Sequence, residues 1–176
     1  MDFAAVLAEV GQFLDERRRS WALVGGVGLA ALGFSRTRLD LAFVVEAAAQ
    51  DELVDFLERR GSETLYRSTG YSNHLHPDPR RGRVAFLYVG PEATRQLFPD
   101  CREIVGPGGV PARVPRPEHL AAMKVTAMKN DPARRFQELS DIRALLTLAG
   151  VDRDEVHRAF ARAGLENEWH ELVATL

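Results

Sequence analysis

Ala22–Val45 reads ALVGGVGLAALGFSRTRLDLAFVV. The apolar run Trp21-Ala-Leu-Val24 ends at the pair Gly25-Gly26, and a helix-compatible stretch, Leu29-Ala-Ala-Leu32, follows. Thirteen residues separate Gly26 from Asp40, which opens a hydrophobic run, Asp40-Leu41-Ala42-Phe43-Val44-Val45. The pattern predicts a buried strand over 21–24, a tight glycine turn, a short helix over 27–32 and a second strand over 39–45. Strand residues i and i+2 share a face, so positions 40 and 42 point together.

Working outward, Phe3, Val6, Leu7, Val10, Phe13 and Leu14 recur at helical spacing and predict an amphipathic first helix. Asp51-Glu52 open another, with Leu53, Val54, Phe56 and Leu57 inward and Gly61 as its stop signal. Strands are expected over 63–68, 71–75, 83–89 and 112–114, with turns at Pro77–Gly82 and Gly106–Gly109. After Pro117 the pattern turns helical: 119–129, 135–149 and 152–163, then a last turn around Trp169–Leu172. The expected architecture is α/β (α+β), a mixed sheet flanked by helices over residues 1–115. A helical segment over 116–176 is expected to pack on the same domain.

Composition limits the alternatives. The 176 residues are enough for one domain with a sizeable core, and 45% apolar with 27% charged residues is ordinary for a globular chain. A net charge of −2 argues against strong non-specific nucleic-acid binding, which rests on phosphate neutralisation. The clusters Arg17-Arg18-Arg19, Arg80-Arg81 and Arg134-Arg135 read as solvated faces or turns. A single cysteine, Cys101, excludes an internal disulfide framework, and nothing in its surroundings marks a nucleophile. No apolar stretch approaches a membrane span and no leader pattern opens the chain, so a cytoplasmic protein with no membrane partner is expected.

The glycine pair, the spacer and the acid-bearing strand together resemble the signature of the nucleotidyltransferase (polymerase-beta-like) superfamily, and its fold is the one expected. Within it the frame is most similar to the minimal bacterial branch that includes abortive-infection type toxins: Gly33, Arg36, Arg38 and Asp40 fall into place. Further on, Pro117-Glu-His-Leu-Ala-Ala-Met-Lys124 and Glu138-Leu-Ser-Asp141-Ile142 match the family's later motifs, so the resemblance covers residues 20–146. The resemblance implies that Gly25 and Gly26 bring backbone N–H groups to nucleotide phosphates, as a helix N-terminus can. It implies acids at 40, 42 and 85 that clamp Mg²⁺ or Mn²⁺. Asp40 is present; Ala42 and Ala85 stand at the other two positions. Either engineered truncation or natural decay accounts for two alanines in an otherwise kept frame.

The parent activity so implied is Mg²⁺-dependent transfer of a nucleoside monophosphate from a nucleoside triphosphate to an acceptor: RNA such as a tRNA end, a protein or a small molecule. A toxin–antitoxin or phage-defence role, with a cognate toxin or antitoxin as partner, belongs to the same analogy. With two ligands lost, the chain is expected to be catalytically dead. The alternative is a non-enzymatic nucleotide-sensing or partner-binding protein, such as an antitoxin. The resemblance places Lys124 toward the nucleotide's phosphates, which a flexible ammonium can follow; a solvated helix lysine is the other reading. Arg36 or Arg38 is expected to meet a triphosphate or to pair with Asp40. Ser72-Asn73-His74-Leu75-His76 is expected to line the cleft beside Ala85, with Asn73 or His76 touching a base or sugar. His74 and His76 share a strand face, but a lone His-x-His lacks the further ligands that zinc needs. Glu138 and Asp141, three apart on a helix, are expected to pair with Arg134, Arg135 or Lys124.

Overall fold

The computed structural model describes residues 1–34 and 41–176. Arg36, Arg38 and Asp40 therefore lie outside the described residues. The contacts divide the chain into two compact units, Met1–Pro115 and Arg116–Leu176.

The first unit is built on a five-stranded mixed sheet in the order β1-β2-β5-β4-β3. Its strands are β1 (Trp21–Val24), β2 (Leu41–Glu46), β3 (Glu63–Arg67), β4 (Tyr71–Leu75) and β5 (Arg83–Val89). β2 and β5 run parallel, and the other pairs are antiparallel. A separate hairpin joins β6 (Arg102–Val105) and β7 (Pro111–Val114). Helices α1 (Phe3–Glu16), α2 (Gly25–Ala31), α3 (Gln50–Arg59) and α4 (Pro91–Leu97) complete the unit.

Asp2 caps α1 by accepting from the Ala5 amide, satisfying one of the helix's free N–H groups. The buried stripe of α1, including Val6, Leu7, Val10 and Phe13, is the apolar face its spacing predicts. Phe13 meets Phe56 of α3 with ring centroids 3.9 Å apart. Gly11 lets the Trp21 indole close on α1: a Cβ there would lie 2.9 Å from the ring.

The second unit is helical: α5 (Pro117–Asn130), α6 (Arg135–Leu145), α7 (Arg153–Ala163) and α8 (Glu166–Val173). α6 stops at Leu145, short of the expected 149, and α8 is a full helix rather than a last turn. Among the described residues no helix is long and apolar enough to cross a membrane.

Candidate functional site

The strand–glycine–helix unit forms as its sequence dictates. Val24 ends β1 in extended backbone, Gly25 turns the chain with φ of +64°, and α2 starts at once. That φ suits glycine and strains a residue with a Cβ. Gly28 faces β1 so closely that a Cβ would lie 3.0 Å from the Leu23 carbonyl oxygen.

Across the sheet, register puts the decisive positions in one row. Val24 pairs Ala42, Ala42 pairs Ala85, and Ala85 pairs Asn73. Tyr66 follows on β3, beyond a register shift between Thr64 and Tyr66. Paired residues share a face, so Ala42, Ala85 and Asn73 stand side by side. Positions 42 and 85 are thus direct neighbours on one sheet face, and both present a methyl group, which offers no oxygen to a hard cation. Among the described residues no group of three metal-ligating side chains exists. The donor set of the described row does not fit Mg²⁺ or Mn²⁺.

Asn73 carries an anomaly: its Oδ1 is buried and has no hydrogen-bond partner. Leaving a buried acceptor unmet costs roughly 1–3 kcal/mol, and native structures hold few such groups.

The opposite face of the same strands packs on α1 and α3. It holds Phe43 and Phe86, stacked at 5.3 Å, with Trp21 5.8 Å from Phe43. Ser72 and His74 lie on this face, not beside Ala85, because they alternate with Asn73. They belong to a hydrogen-bonded chain that sequence reasoning missed. Thr64 Oγ1 donates to Glu58 Oε1 at 2.6 Å, so its oxygen accepts from His74 Nδ1 at 3.1 Å. His74 Nε2 is then an acceptor, met by the Ser72 hydroxyl at 2.8 Å, and Ser72 in turn accepts from the Tyr88 hydroxyl at 2.7 Å. One tautomer, neutral His74 with its proton on Nδ1, satisfies every link. Burial pushes the His74 pKa down, the Glu58 charge opposes this, and Arg67 adds to it. Burial likewise pushes the Tyr88 phenol up to about 12. Two polar residues at i and i+2, facing the apolar Phe86 and Val84 of the next strand, were the available signal.

His76 shares the His74 side, as expected, and both line a small cavity with Val6, Val10 and Leu57. The expectation that His76 touches a base or sugar meets an obstacle: both its ring nitrogens are engaged inside the protein. Nε2 bonds the Arg60 carbonyl at 2.9 Å, and Nδ1 accepts from the Asp78 amide at 2.9 Å. Of the expected pair, Asn73 is the one beside Ala85. Burial raises the Cys101 thiol to about 11, which removes its thiolate at neutral pH.

In the helical unit, Lys124 Nζ lies 2.9 Å from Glu138 Oε2 and 2.5 Å from Asp141 Oδ2. Both carboxylates are buried. Gln137 donates to the other Asp141 oxygen at 2.8 Å, and Arg134 meets Glu138 Oε1 at 2.5 Å, an ion pair outside hydrogen-bond geometry. The expected pairing of Glu138 and Asp141 thus involves Lys124 and Arg134, whereas Arg135 goes to Glu168 and Glu171.

No family model matches the sequence, and no curated protein matches it. Solved structures do. The chain superposes on the solution structure of the antibiotic-resistance factor ANT(2'')-Ia with TM-score 0.66 at 17% identity, covering 97% of this chain and all of that one. The crystal structure of ANT(2'')-Ia in complex with adenylyl-2''-tobramycin gives 0.67 at 16%, covering 93% and 98%. An antigenic nucleotidyltransferase-like protein from Paracoccidioides brasiliensis gives 0.57 at 14%, covering 98% and 91%. The chain has the nucleotidyltransferase fold.

Proposed function

We propose that this chain is a nucleotide-binding nucleotidyltransferase scaffold that has lost metal-dependent transfer. The observation that carries this reading is the pairing of Ala42 with Ala85 in one row of the sheet, beside the glycine turn. In the parent reaction a nucleoside monophosphate passes from a nucleoside triphosphate to an acceptor. Phosphoryl transfer of this kind depends almost wholly on positioning and charge neutralisation. Mg²⁺ or Mn²⁺ supplies that neutralisation in the parent; here two of three ligand positions are methyl groups, so no step is assigned to a metal. Gly25, Gly26, Arg36 and Arg38 remain as the phosphate-side residues, with Asp40 the last acid of the set. Lys124, held between two buried carboxylates of its own unit, takes a structural role in this reading.

The parent acceptor is open between RNA, a protein and a small molecule; the adenylyl-2''-tobramycin in the ANT(2'')-Ia complex illustrates the last. A nucleotide-sensing or antitoxin-like role suits a scaffold that binds without turning over. The test is incubation with labelled nucleoside triphosphates, Mg²⁺ or Mn²⁺, and total RNA or cell lysate. No label transfer is expected. Robust transfer that disappears in Asp40→Ala would overturn the reading.

A further inference from the structure

The row that holds Ala42 and Ala85 does not end at Asn73. Tyr66 lies opposite Asn73 on the next strand, and Tyr71, two residues along β4, shares the Asn73 face. The two tyrosine rings stand 6.0 Å apart at 43°. Tyr66 is 57% exposed, an unusual position for so large an aromatic residue. Leu87 pairs with Tyr71 and continues the floor from Ala85. The corner is therefore aromatic and apolar, with one amide whose buried oxygen lacks a partner.

The chemistry of this corner is that of a ring site. Exposed aromatic side chains on a sheet face stack heterocycles through their π-faces. The unmet Asn73 oxygen asks for an N–H or O–H donor, and the half-exposed amide can turn its carbonyl outward about χ2, a soft torsion. Adjacent strands lie about 4.8 Å apart, so Tyr66 stands about 10 Å from Ala85, close to where a phosphate group would lie. A planar nitrogen heterocycle bearing N–H donors matches the aromatic rings, the acceptor and the absence of carboxylates among these residues.

We propose that Tyr66, Tyr71 and Asn73 form a nucleobase subsite, and that in this chain the ring, rather than metal-bridged phosphates, carries most of the ligand's affinity. The inference rests on the nucleotide-binding reading above and deepens it. Where the parent scaffold gains binding through a cation, this one has methyl groups at 42 and 85, so stacking and the amide become the larger share of what holds the ligand. The base can belong to the nucleotide itself or to an acceptor that carries one.

Calorimetry with the full chain tests this, using adenosine, ATP and inorganic tripolyphosphate, each with and without Mg²⁺. Adenosine and ATP are expected to bind with similar affinity, unchanged by Mg²⁺. Tyr66→Ala is expected to weaken adenosine about tenfold, the usual scale for one stacked base, and Tyr66→Phe to restore it. Tripolyphosphate binding should not respond to either change. Adenosine that competes with ATP assigns the ring to the nucleotide, and adenosine that binds alongside ATP assigns it to an acceptor; both support the subsite. If ATP and tripolyphosphate bind but adenosine does not, or if Tyr66→Ala and Asn73→Ala leave adenosine binding intact, the subsite is wrong while the nucleotide reading stands. If none of the three probes binds, both fall. Tyr66 is exposed on an edge strand, so its variants should keep the wild-type circular dichroism spectrum.

Discussion

The two faces of the central sheet are made by the same strands and obey opposite rules. On one face Phe43, Phe86 and His74 are fully buried against helices, and a continuous run of hydrogen bonds joins Glu58, Thr64, His74, Ser72 and Tyr88. On the other, Ala85 and Asn73 are only half-buried, and a buried amide oxygen is unmet. The difference teaches where stability and function divide. A face whose polar groups satisfy one another holds the fold, and a face that leaves one unsatisfied is shaped for something else.

The sharpest way to break this contrast is to empty each face in turn. Phe86→Ala should cost about 3–5 kcal/mol, since it leaves a cavity between stacked rings that cannot collapse. Leu87→Ala, the next residue but half-buried on the other face, should cost about 1 kcal/mol. Urea unfolding of both variants measures the gap, and equal losses would erase the distinction between the faces.

The polar chain gives a smaller effect. Ser72→Ala removes the partner of both His74 Nε2 and the Tyr88 hydroxyl. Leaving two buried groups unmet should cost about 2–3 kcal/mol. Tyr88→Phe on the Ser72→Ala background should then cost little, because it deletes one of the orphans. A double-mutant cycle in urea reads the coupling, and strict additivity would show that the chain of bonds does not act as a unit.

Most of this sheet was legible beforehand, for identifiable reasons. The strands 21–24, 71–75 and 83–89 stand where alternation and flanking glycines put them. The glycine turn followed from the sequence pattern, whereas singling out 42 and 85 rested on the family resemblance. α4 was not foreseen because only Leu97 of its seven residues is buried, so no apolar period announces it. β6 likewise has no buried residue to mark a face. At the site, grouping Asn73 with His76 overlooked a plain rule: strand positions three apart lie on opposite faces. His76 Nδ1 is taken by the Asp78 amide two residues on, in the expected turn, but its Nε2 bond reaches the Arg60 carbonyl sixteen residues back at a helix end, which no local pattern encodes.

Protonation tests the packed face more gently. The folded-state pKa of His74 lies below its ordinary value near 6.5, chiefly through burial. The unfolded chain therefore binds a proton that the folded chain refuses. The resulting stability is fully present above pH 6.5 and is lost as pH falls toward the folded pKa. One proton sets a slope of at most about 1.4 kcal/mol per pH unit. Urea unfolding between pH 7.5 and 5.5, compared with His74→Gln, isolates this contribution. Equal pH slopes in the two proteins would mean that His74 is not held neutral.

The smallest effect concerns the open face, and in this chain it is expected to vanish. Carboxylates introduced at 42 and 85 would set like charges side by side in one row of the sheet, each raising the pKa of the other when no cation is bound. Such arrangements commonly exchange stability for activity. In EDTA, then, the chain with Ala42 and Ala85 should be at least as stable as Ala42→Asp/Ala85→Asp. Mg²⁺ stabilises only a native state that binds it; at ten times its Kd that amounts to about 1.4 kcal/mol by mass action. The doubly substituted protein should gain this and melt higher, while the chain as it stands should barely move. Thermal melts in EDTA and in excess Mg²⁺ decide the matter. A larger Mg²⁺ shift in the alanine-bearing chain would show that the Ala42–Ala85 row is not where the fold holds its metal, and the contrast between the two faces would need another explanation.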